Sequence, residues 1–414
     1  MLGLLLNRLI KQGTLTVVHS NGVKEAFGFG EPRVTMRLHD RRAAFDLVRN
    51  PDLKLGELYM DGRLTVEHGD IADLLSLLMM NLGKVHPGGL HKFVRRFRTL
   101  TRRFAQFNPA RKSKDHVAHH YDLNGRLYDL FLGRDKQYSC AYFSAPDETL
   151  EQAQIGKKRH IAAKLYLDRP DLKVLDIGCG WGGLALNLAQ DCGADVLGVT
   201  LSEEQLGIAR ERAEQAKLED TCRFELADYR SLGGVYDRIV SVGMFEHVGA
   251  PYYDAFFAKV RELLADDGVM LLHTIGRSDG PGSTNAWIAK YIFPGGYVPA
   301  MSEVLAATER AGLIVTDVEV LRLHYAETLK EWRKRFTANR AEAARIYDER
   351  FCRMWEFYLA GAEMAFRHDG QAVFQFQIVK NQHALPITRD YMLDAERTMR
   401  FAGTEEMPRP LRVV

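Results

Sequence analysis

Five short runs rich in β-branched and apolar residues, LKVLDIG, ADVLGVT, CRFELA, YDRIVSVG and VMLLHTIG, recur between about residues 170 and 320. Stretches with helical spacing separate them, and this alternation predicts a parallel sheet with helices on both faces. Beyond about 325 the pattern turns helical, through TLKEWRKRFTANRAEAARIYDERFCRMWEFYLAGAEMAFRH, and closes with one last strand, VFQFQIVK. The first 90 residues mix strand-like and helical stretches, with an apolar helix around Ile71–Leu82, and read as a small α+β domain. Leu2, Leu5, Leu6 and Ile10 fit one face of a short N-terminal helix. The apolar run Leu4–Leu6 is broken at once by Asn7 and Arg8 and no small-residue cleavage site follows, which argues against a signal peptide.

Between these regions lies HKFVRRFRTLTRRFAQFNPARKSK, His91 to Lys114. Phe93, Phe97, Leu100, Phe104 and Phe107 fall at spacings of three and four, on one face of a helix that Pro109 ends. Arg95, Arg96, Arg98, Arg102, Arg103, Arg111 and Lys112 load the remainder with positive charge. Such a helix can lie among the headgroups of an anionic bilayer, or it can pack its phenylalanines on a neighbouring domain. The division expected is therefore an N-terminal α+β domain at 1–90 that faces lipid, a basic amphipathic linker at 91–114, a catalytic domain at 115–400 and a tail at 401–414.

Composition narrows the class. A chain of 414 residues with 46% hydrophobic and 27% charged residues can bury a large core and exceeds the usual single-domain size. The formal net charge is only +2, so nothing points to nucleic acid, and binding to an anionic surface must rest on local clustering. The five cysteines, Cys140, Cys179, Cys192, Cys222 and Cys352, are scattered without a zinc spacing, which points away from metal or disulfides and toward a reducing cytoplasm. No apolar run approaches the roughly 18 residues of a membrane span, so the expectation is a soluble or peripheral protein.

Candidate chemistry begins at VLDIGCGWGG, Val174 to Gly183, a strand and glycine-rich turn followed by the helix LALNLAQ. Gly178 and Gly180 let backbone approach a ligand, and the helix start offers free N–H groups. Asp176, just ahead of the glycines, would repel a pyrophosphate but attract an ammonium group. Thr200-Leu201-Ser202 with Gln205, and Asp228-Tyr229, follow the next two strands, where a ribose and an adenine can bind across the carboxyl edge of the sheet. This arrangement resembles the Rossmann-like methyltransferases that bind S-adenosylmethionine.

Polar residues in apolar settings surround this core. Tyr138, Ser139 and Cys140 lie in QYSCAYF, Glu246 and His247 in SVGMFEHVG, His273 in LLHTIG and Tyr325 in HYAETL. Glu246 stands at the end of the fourth strand and His273 is embedded in an apolar strand, and the two could meet in the ligand crevice outside the carboxyl strand ends. Together with HYDLNGRLYDLFL, GVTLSEEQ, ADYRSL and KYIFPGGYVP, these segments closely resemble the cyclopropane-fatty-acid synthases, and mycolic-acid cyclopropane synthases share several of them. The resemblance runs from about 115 to 385, and LGELYMDG extends it to the longer phospholipid enzymes. It implies a class I methyltransferase sheet with helical C-terminal additions. It also implies that Cys140, Glu246, His273, Tyr325 and the backbone of Ile275 hold a bicarbonate ion. Tyr138, Ser139, Val174, Asp176, Gly178, Cys179, Gly180, Trp181, Gly182, Thr200, Leu201, Ser202, Gln205, Asp228 and Tyr229 would line the cofactor.

What the resemblance implies for activity is transfer of the cofactor's methyl carbon to the cis double bond of an unsaturated phospholipid acyl chain, then closure to a cyclopropane ring. The alternative outcome is a methylene- or methyl-branched chain. The partners implied are membrane phospholipid and an anionic membrane surface at the inner face of a bacterial membrane, with homodimerisation left open. Relatives often carry a cysteine within YLAGAEMAFR; here that position is Ala362, and Cys352 lies about three helical turns away. Covalent cysteine chemistry is therefore not carried over. Because a carboxylate beside bicarbonate would repel it, Glu246 is expected to be protonated or to share a proton with the ion.

Overall fold

The computed structural model describes residues 1–82 and 125–402. The basic segment at 91–114 and the tail beyond 402 lie outside the described residues. In the N-terminal part, helix α1 (Leu2–Leu9) precedes strands β1 (Gly13–Val18), β2 (Lys24–Phe29) and β3 (Arg33–Leu38). Helices α2 (Arg41–Arg49) and α3 (Pro51–Met60), strand β4 (Leu64–His68) and helix α4 (Ile71–Leu82) complete it. Its four strands form one sheet in the order β2-β1-β3-β4, with β1 and β3 parallel and the other neighbours antiparallel. The expected apolar helix coincides with α4. On α1, Leu2 and Leu6 are buried as the pattern requires, whereas Leu5 is 45% exposed and stands off the shared face.

The second part opens with the short α5 (Gly125–Asp129) and then α6 (Leu150–Lys164), whose start is fixed by a capping box of Thr149 and Gln152. Strands and helices then alternate: β5 (Lys173–Ile177), α7 (Gly183–Cys192), β6 (Asp195–Thr200), α8 (Glu203–Ala216), β7 (Cys222–Leu226), β8 (Tyr236–Val242), α9 (Tyr253–Leu263) and β9 (Leu264–Arg277). After them come α10 (Ala286–Tyr291), α11 (Met301–Arg310), β10 (Ile314–Leu321), α12 (His324–Ala338), α13 (Arg340–Ile346), α14 (Glu349–His368), β11 (Gln371–Val379) and α15 (Asp390–Ala402).

Seven strands make one sheet in the order β10-β11-β9-β8-β5-β6-β7. The five predicted from the repeating runs are parallel to one another, as alternation with helices dictates. The sheet is nevertheless mixed, because β11 runs antiparallel between β9 and β10. Strand β10 was not among the expected elements. It is an edge strand whose burial departs from its apolar and polar positions, since Asp317 is buried while Ile314 and Val320 are exposed. This is the class I methyltransferase sheet with a small N-terminal domain carrying its own four strands.

The two parts share one apolar core. A single cluster runs from Leu2, Leu15, Leu58 and Leu77 through Leu127, Trp287, Trp332, Trp355 and Phe366. At the junction the Trp287 ring packs on Phe357 with centroids 4.7 Å apart, and its Nε1 points at Met60 Sδ at 3.2 Å. Gly56 is required there, since a Cβ at that position would lie 2.4 Å from Trp287 Nε1. The buried Glu57 carboxylate accepts from Lys290 Nζ at 2.6 Å and Tyr291 Oη at 2.9 Å, and these bonds outweigh burial to hold it down at about 2. Arg333 reaches Asp70 at 3.1 Å and Arg350 reaches Asp61 at 2.8 Å.

Candidate active site

The turn between β5 and α7 is built by glycines that other residues could not replace. Gly178 has φ +85° and Gly182 φ +81°, in the left-handed region that L side chains avoid. A Cβ on Gly178 would meet the Met244 side chain at 2.8 Å, and one on Gly182 the Phe224 ring at 2.7 Å. Held in this way, the turn opens a cleft at the carboxyl ends of β5, β6 and β8.

Asp176 closes one wall of that cleft. It is only 2% exposed, its Oδ2 has no hydrogen-bond partner among the described residues, and burial pushes its carboxyl up to about 7. Opposite charge comes from Lys157 on α6, a cleft residue that is 1% exposed. Its Nζ donates to Gln137 Oε1 at 2.5 Å and to Ser139 Oγ at 2.8 Å, and burial draws its ammonium down to about 7. Sequence reasoning missed Lys157, because the run KKRH on a helix reads as a solvated face. Thr200 Oγ1 donates to Gln205 Oε1 at 2.9 Å, and Ser202 caps α8 by accepting from Gln205 N at 3.3 Å. Burial works to raise the Asp228 carboxyl, but the hydrogen bonds from Arg230 prevail and hold it below the usual range.

The expected cofactor residues gather here. Tyr138, Ser139, Asp176, Gly178, Cys179, Gly180, Trp181, Thr200, Leu201, Gln205, Asp228 and Tyr229 all line the one cleft. Val174, Gly182 and Ser202 do not: Val174 is buried within β5, Gly182 forms the elbow into α7, and Ser202 caps α8. Met244, His247 and Tyr252 also line it.

None of the five expected catalytic residues lines this cleft: Cys140, Glu246, His273 and Tyr325 are buried outside its lining, and Ile275 is half-buried. Glu246, on the turn after β8, accepts the Ile275 backbone N–H on Oε1 at 2.6 Å. Its Oε2 is buried without a partner among the described residues, and burial pushes its carboxyl up to about 7. His273 pairs with Val242 in the β8–β9 register, and its carbonyl accepts from Gly243 N at 3.0 Å. Burial drives the His273 imidazole well below its ordinary range, toward the neutral form. Ala141 N donates to Thr328 Oγ1 at 3.0 Å, which ties the Cys140 segment to the helix that carries Tyr325. Burial raises the Cys140 thiol, whose Sγ donates to Ala141 O at 3.3 Å. The Tyr325 ring packs on Phe366 and Trp332 with centroids 4.9 and 5.8 Å apart. Cys352 Sγ lies toward the Arg340 carbonyl at 3.9 Å, away from the cleft residues.

A mixed seven-stranded sheet with a glycine elbow, an acid ahead of it and polar strand ends around one cleft defines a class I methyltransferase architecture. Comparison with known proteins places the chain within that class. Residues 108–376 match the mycolic acid cyclopropane synthetase family, to which the chain belongs. Residues 3–85 match a domain of unknown function (DUF7884). A probable fatty acid methyltransferase of Pseudomonas putida is 37% identical over 87% of this chain and 92% of its own length. The cyclopropane-fatty-acyl-phospholipid synthase of Escherichia coli K12 is 39% identical over 77% of this chain and 84% of its own. Among solved structures, the mycolic acid cyclopropane synthase CmaA1 complexed with SAH and CTAB superposes with a TM-score of 0.61 at 35% identity, covering 66% of this chain and 99% of its own.

Proposed function

We propose that the protein binds S-adenosylmethionine in the cleft and transfers its methyl carbon to the cis double bond of unsaturated phospholipid acyl chains, with closure to a cyclopropane ring. The observation that carries this reading is the pair of buried carboxyls, Asp176 in the cleft lining and Glu246 outside it. Asp176 Oδ2 faces no partner among the described residues and, once ionised, suits an ammonium group; the glycine elbow leaves room for a ligand against the backbone. When bound, S-adenosylmethionine supplies an electrophilic methyl carbon. Asp176 and Ser139 would hold its amino-acid end, and Gln205 with Asp228 its nucleoside.

Bicarbonate suits the surroundings of Glu246. Glu246 at about 7 can keep a proton on Oε2 at neutral pH and donate it to an anion rather than repel it. The Ile275 N–H is engaged by Glu246 Oε1, so this donor would serve the ion through Glu246 unless that bond opens. A neutral His273 and the Tyr325 hydroxyl complete the set. Apolar walls around Cys140, Tyr325, Trp332 and Phe366 exclude water, which would otherwise quench a cationic chain.

The family and the Escherichia coli relative support a lipid acyl substrate. The name of the Pseudomonas putida relative favours a second reading, in which the product is a methyl- or methylene-branched chain. No described helix is long and apolar enough to cross a membrane. Access to the bilayer would come through the basic residues at 91–114 and the N-terminal domain, at the inner face of the cytoplasmic membrane. Incubation with labelled S-adenosylmethionine and unsaturated phospholipid vesicles, followed by mass analysis of the fatty acids, tests the proposal. A gain of one methylene with loss of the alkene is the expected result. A branched product selects the second reading, and label found only in small polar acceptors defeats both.

A further inference from the structure

Behind the cleft, a line of buried polar side chains crosses the sheet from β9 to the outer helices. His273 on β9 is the register partner of Gln375 on β11, and Gln375 Nε2 lies 3.1 Å from His273 Nδ1. The oxygen of the same amide accepts from Lys164 Nζ at 2.8 Å. Lys164 pairs with Glu319 on β10, and His160, one turn earlier on α6, holds that carboxylate through Nε2 at 2.7 Å. His160 Nδ1 faces Glu396 on α15 at 3.4 Å.

Taken alone, a glutamine amide can point either way and an imidazole can carry its proton on either nitrogen. The neighbours remove both freedoms. An ammonium has donors only, so the amide atom facing Lys164 is the oxygen. Burial opposes the charge on Glu319, but the His160 hydrogen bond and the Lys164 charge hold its carboxyl down at about 2, which keeps a counter-charge beside Lys164. The amide NH2 then faces His273 Nδ1, and a donor there demands a lone pair on that nitrogen. Buried near Lys157, Lys164 and His160, the imidazole stays neutral and carries a single proton.

We propose that Gln375 is a positioning residue that fixes His273 as the Nε2–H tautomer, so that the ring offers a donor to the transfer site. This rests on the reading that His273 serves that site. Held in this way, His273 can bind an anion or a carbonyl oxygen, and the proton lost before ring closure goes to another group. The device needs each link in order: His160 steadies Glu319, Glu319 fixes Lys164, Lys164 orients Gln375, and Gln375 sets the ring.

Nitrogen-15 spectra of histidine-labelled protein test it, with the His273 signal identified by its loss in His273→Gln. The wild type is expected to show protonation at Nε2. In Gln375→Glu a carboxylate faces Nδ1 as an acceptor, and the proton is expected to move there, with kcat falling about 10–100-fold while S-adenosylmethionine affinity is kept. Should that variant not fold, Gln375→Leu removes the donor and is expected to give a mixture of tautomers. A wild-type ring protonated at Nδ1, or a tautomer indifferent to both substitutions, overturns the proposal. Sodium bicarbonate added to the wild type separates the two readings: an Nε2–H ring that ignores bicarbonate upholds the tautomer and counts against the bicarbonate site alone.

Discussion

Glu246 reaches from the turn after β8 to the backbone of Ile275 on β9, two residues past His273, and accepts its N–H at 2.6 Å. One carboxyl oxygen is thereby spent on holding two strand ends together, and the other is buried with no hydrogen-bond partner among the described residues. A single side chain joins the architecture of the crevice to its chemistry. Glu246→Gln keeps the shape and an oxygen for Ile275 but removes the exchangeable proton. Turnover is expected to fall about 10²–10⁴-fold, the range for loss of a positioned acid or base, while calorimetry shows cofactor affinity unchanged. Normal turnover in this variant would remove Glu246 from the chemistry.

The same substitution has a signature in stability. The Glu246 carboxyl is raised from an ordinary 4.5 to about 7 in the folded protein, so folding favours its protonated form. That contribution is fully present below the unfolded value and is lost as pH rises through about 7. Glu246→Gln has no proton to lose. Between pH 5 and 8 the wild type is therefore expected to lose up to about 3 kcal/mol relative to the variant. Parallel denaturant titrations across this range measure the difference, and curves that stay parallel would show that Glu246 is already ionised at pH 5.

Asp176 offers a test of the cleft. Its carboxyl sits at about 7 in the free protein, and a ligand ammonium would favour the ionised form. Binding of S-adenosylmethionine at pH 6 should then release a proton, and affinity should strengthen as pH rises through 7. Calorimetry in buffers of differing ionisation enthalpy reads the proton count directly. Asp176→Asn is expected to weaken binding about 10–100-fold, as loss of a charged hydrogen bond does, and to abolish the release. Binding without proton release would place the ammonium elsewhere.

At the elbow, Gly182→Ala combines two penalties, a strained φ of +81° and a Cβ pressed to 2.7 Å from the Phe224 ring. The cost expected is about 1–3 kcal/mol, seen as a lower unfolding midpoint. An unchanged midpoint would mean that Phe224 moves aside freely.

For the basic segment, the sequence makes the prediction. Replacing Arg95, Arg96, Arg102 and Arg103 with glutamine should weaken sedimentation with anionic vesicles, most of all at low ionic strength. Equal binding at every salt concentration would assign membrane contact to another surface.

Much of the sheet was legible because its central strands are covered on both faces and read as continuous apolar runs between glycine turns. The edge gave less. β10 pairs only with β11, and its polar alternate positions look like loop or helix until β11 is seen beside it. Site residues that stand next to glycines or close a strand could be found by position along the chain. Lys157 and Gln375 could not. Each sits in a segment whose local pattern is ordinary, a charged helix and an alternating strand, and only the tertiary arrangement buries them beside Ser139 and His273. Leu5 shows the reverse error, an apolar residue with the right spacing that ends up in solvent.

The continuity of the apolar core across the Trp287–Phe357 junction bears on how the chain comes to be made. The four-stranded sheet and its helices precede α10 and α14 in the chain, yet part of the greasy underside of α3 and α4 is covered by those two helices, which follow by more than two hundred residues. Met60 waits for Trp287, and Ser76 waits for His368, whose Nε2 lies 3.1 Å from its hydroxyl. The two parts of this polypeptide therefore mature together, and removing residues 1–82 would uncover the apolar faces of α10 and α14 that they now shield.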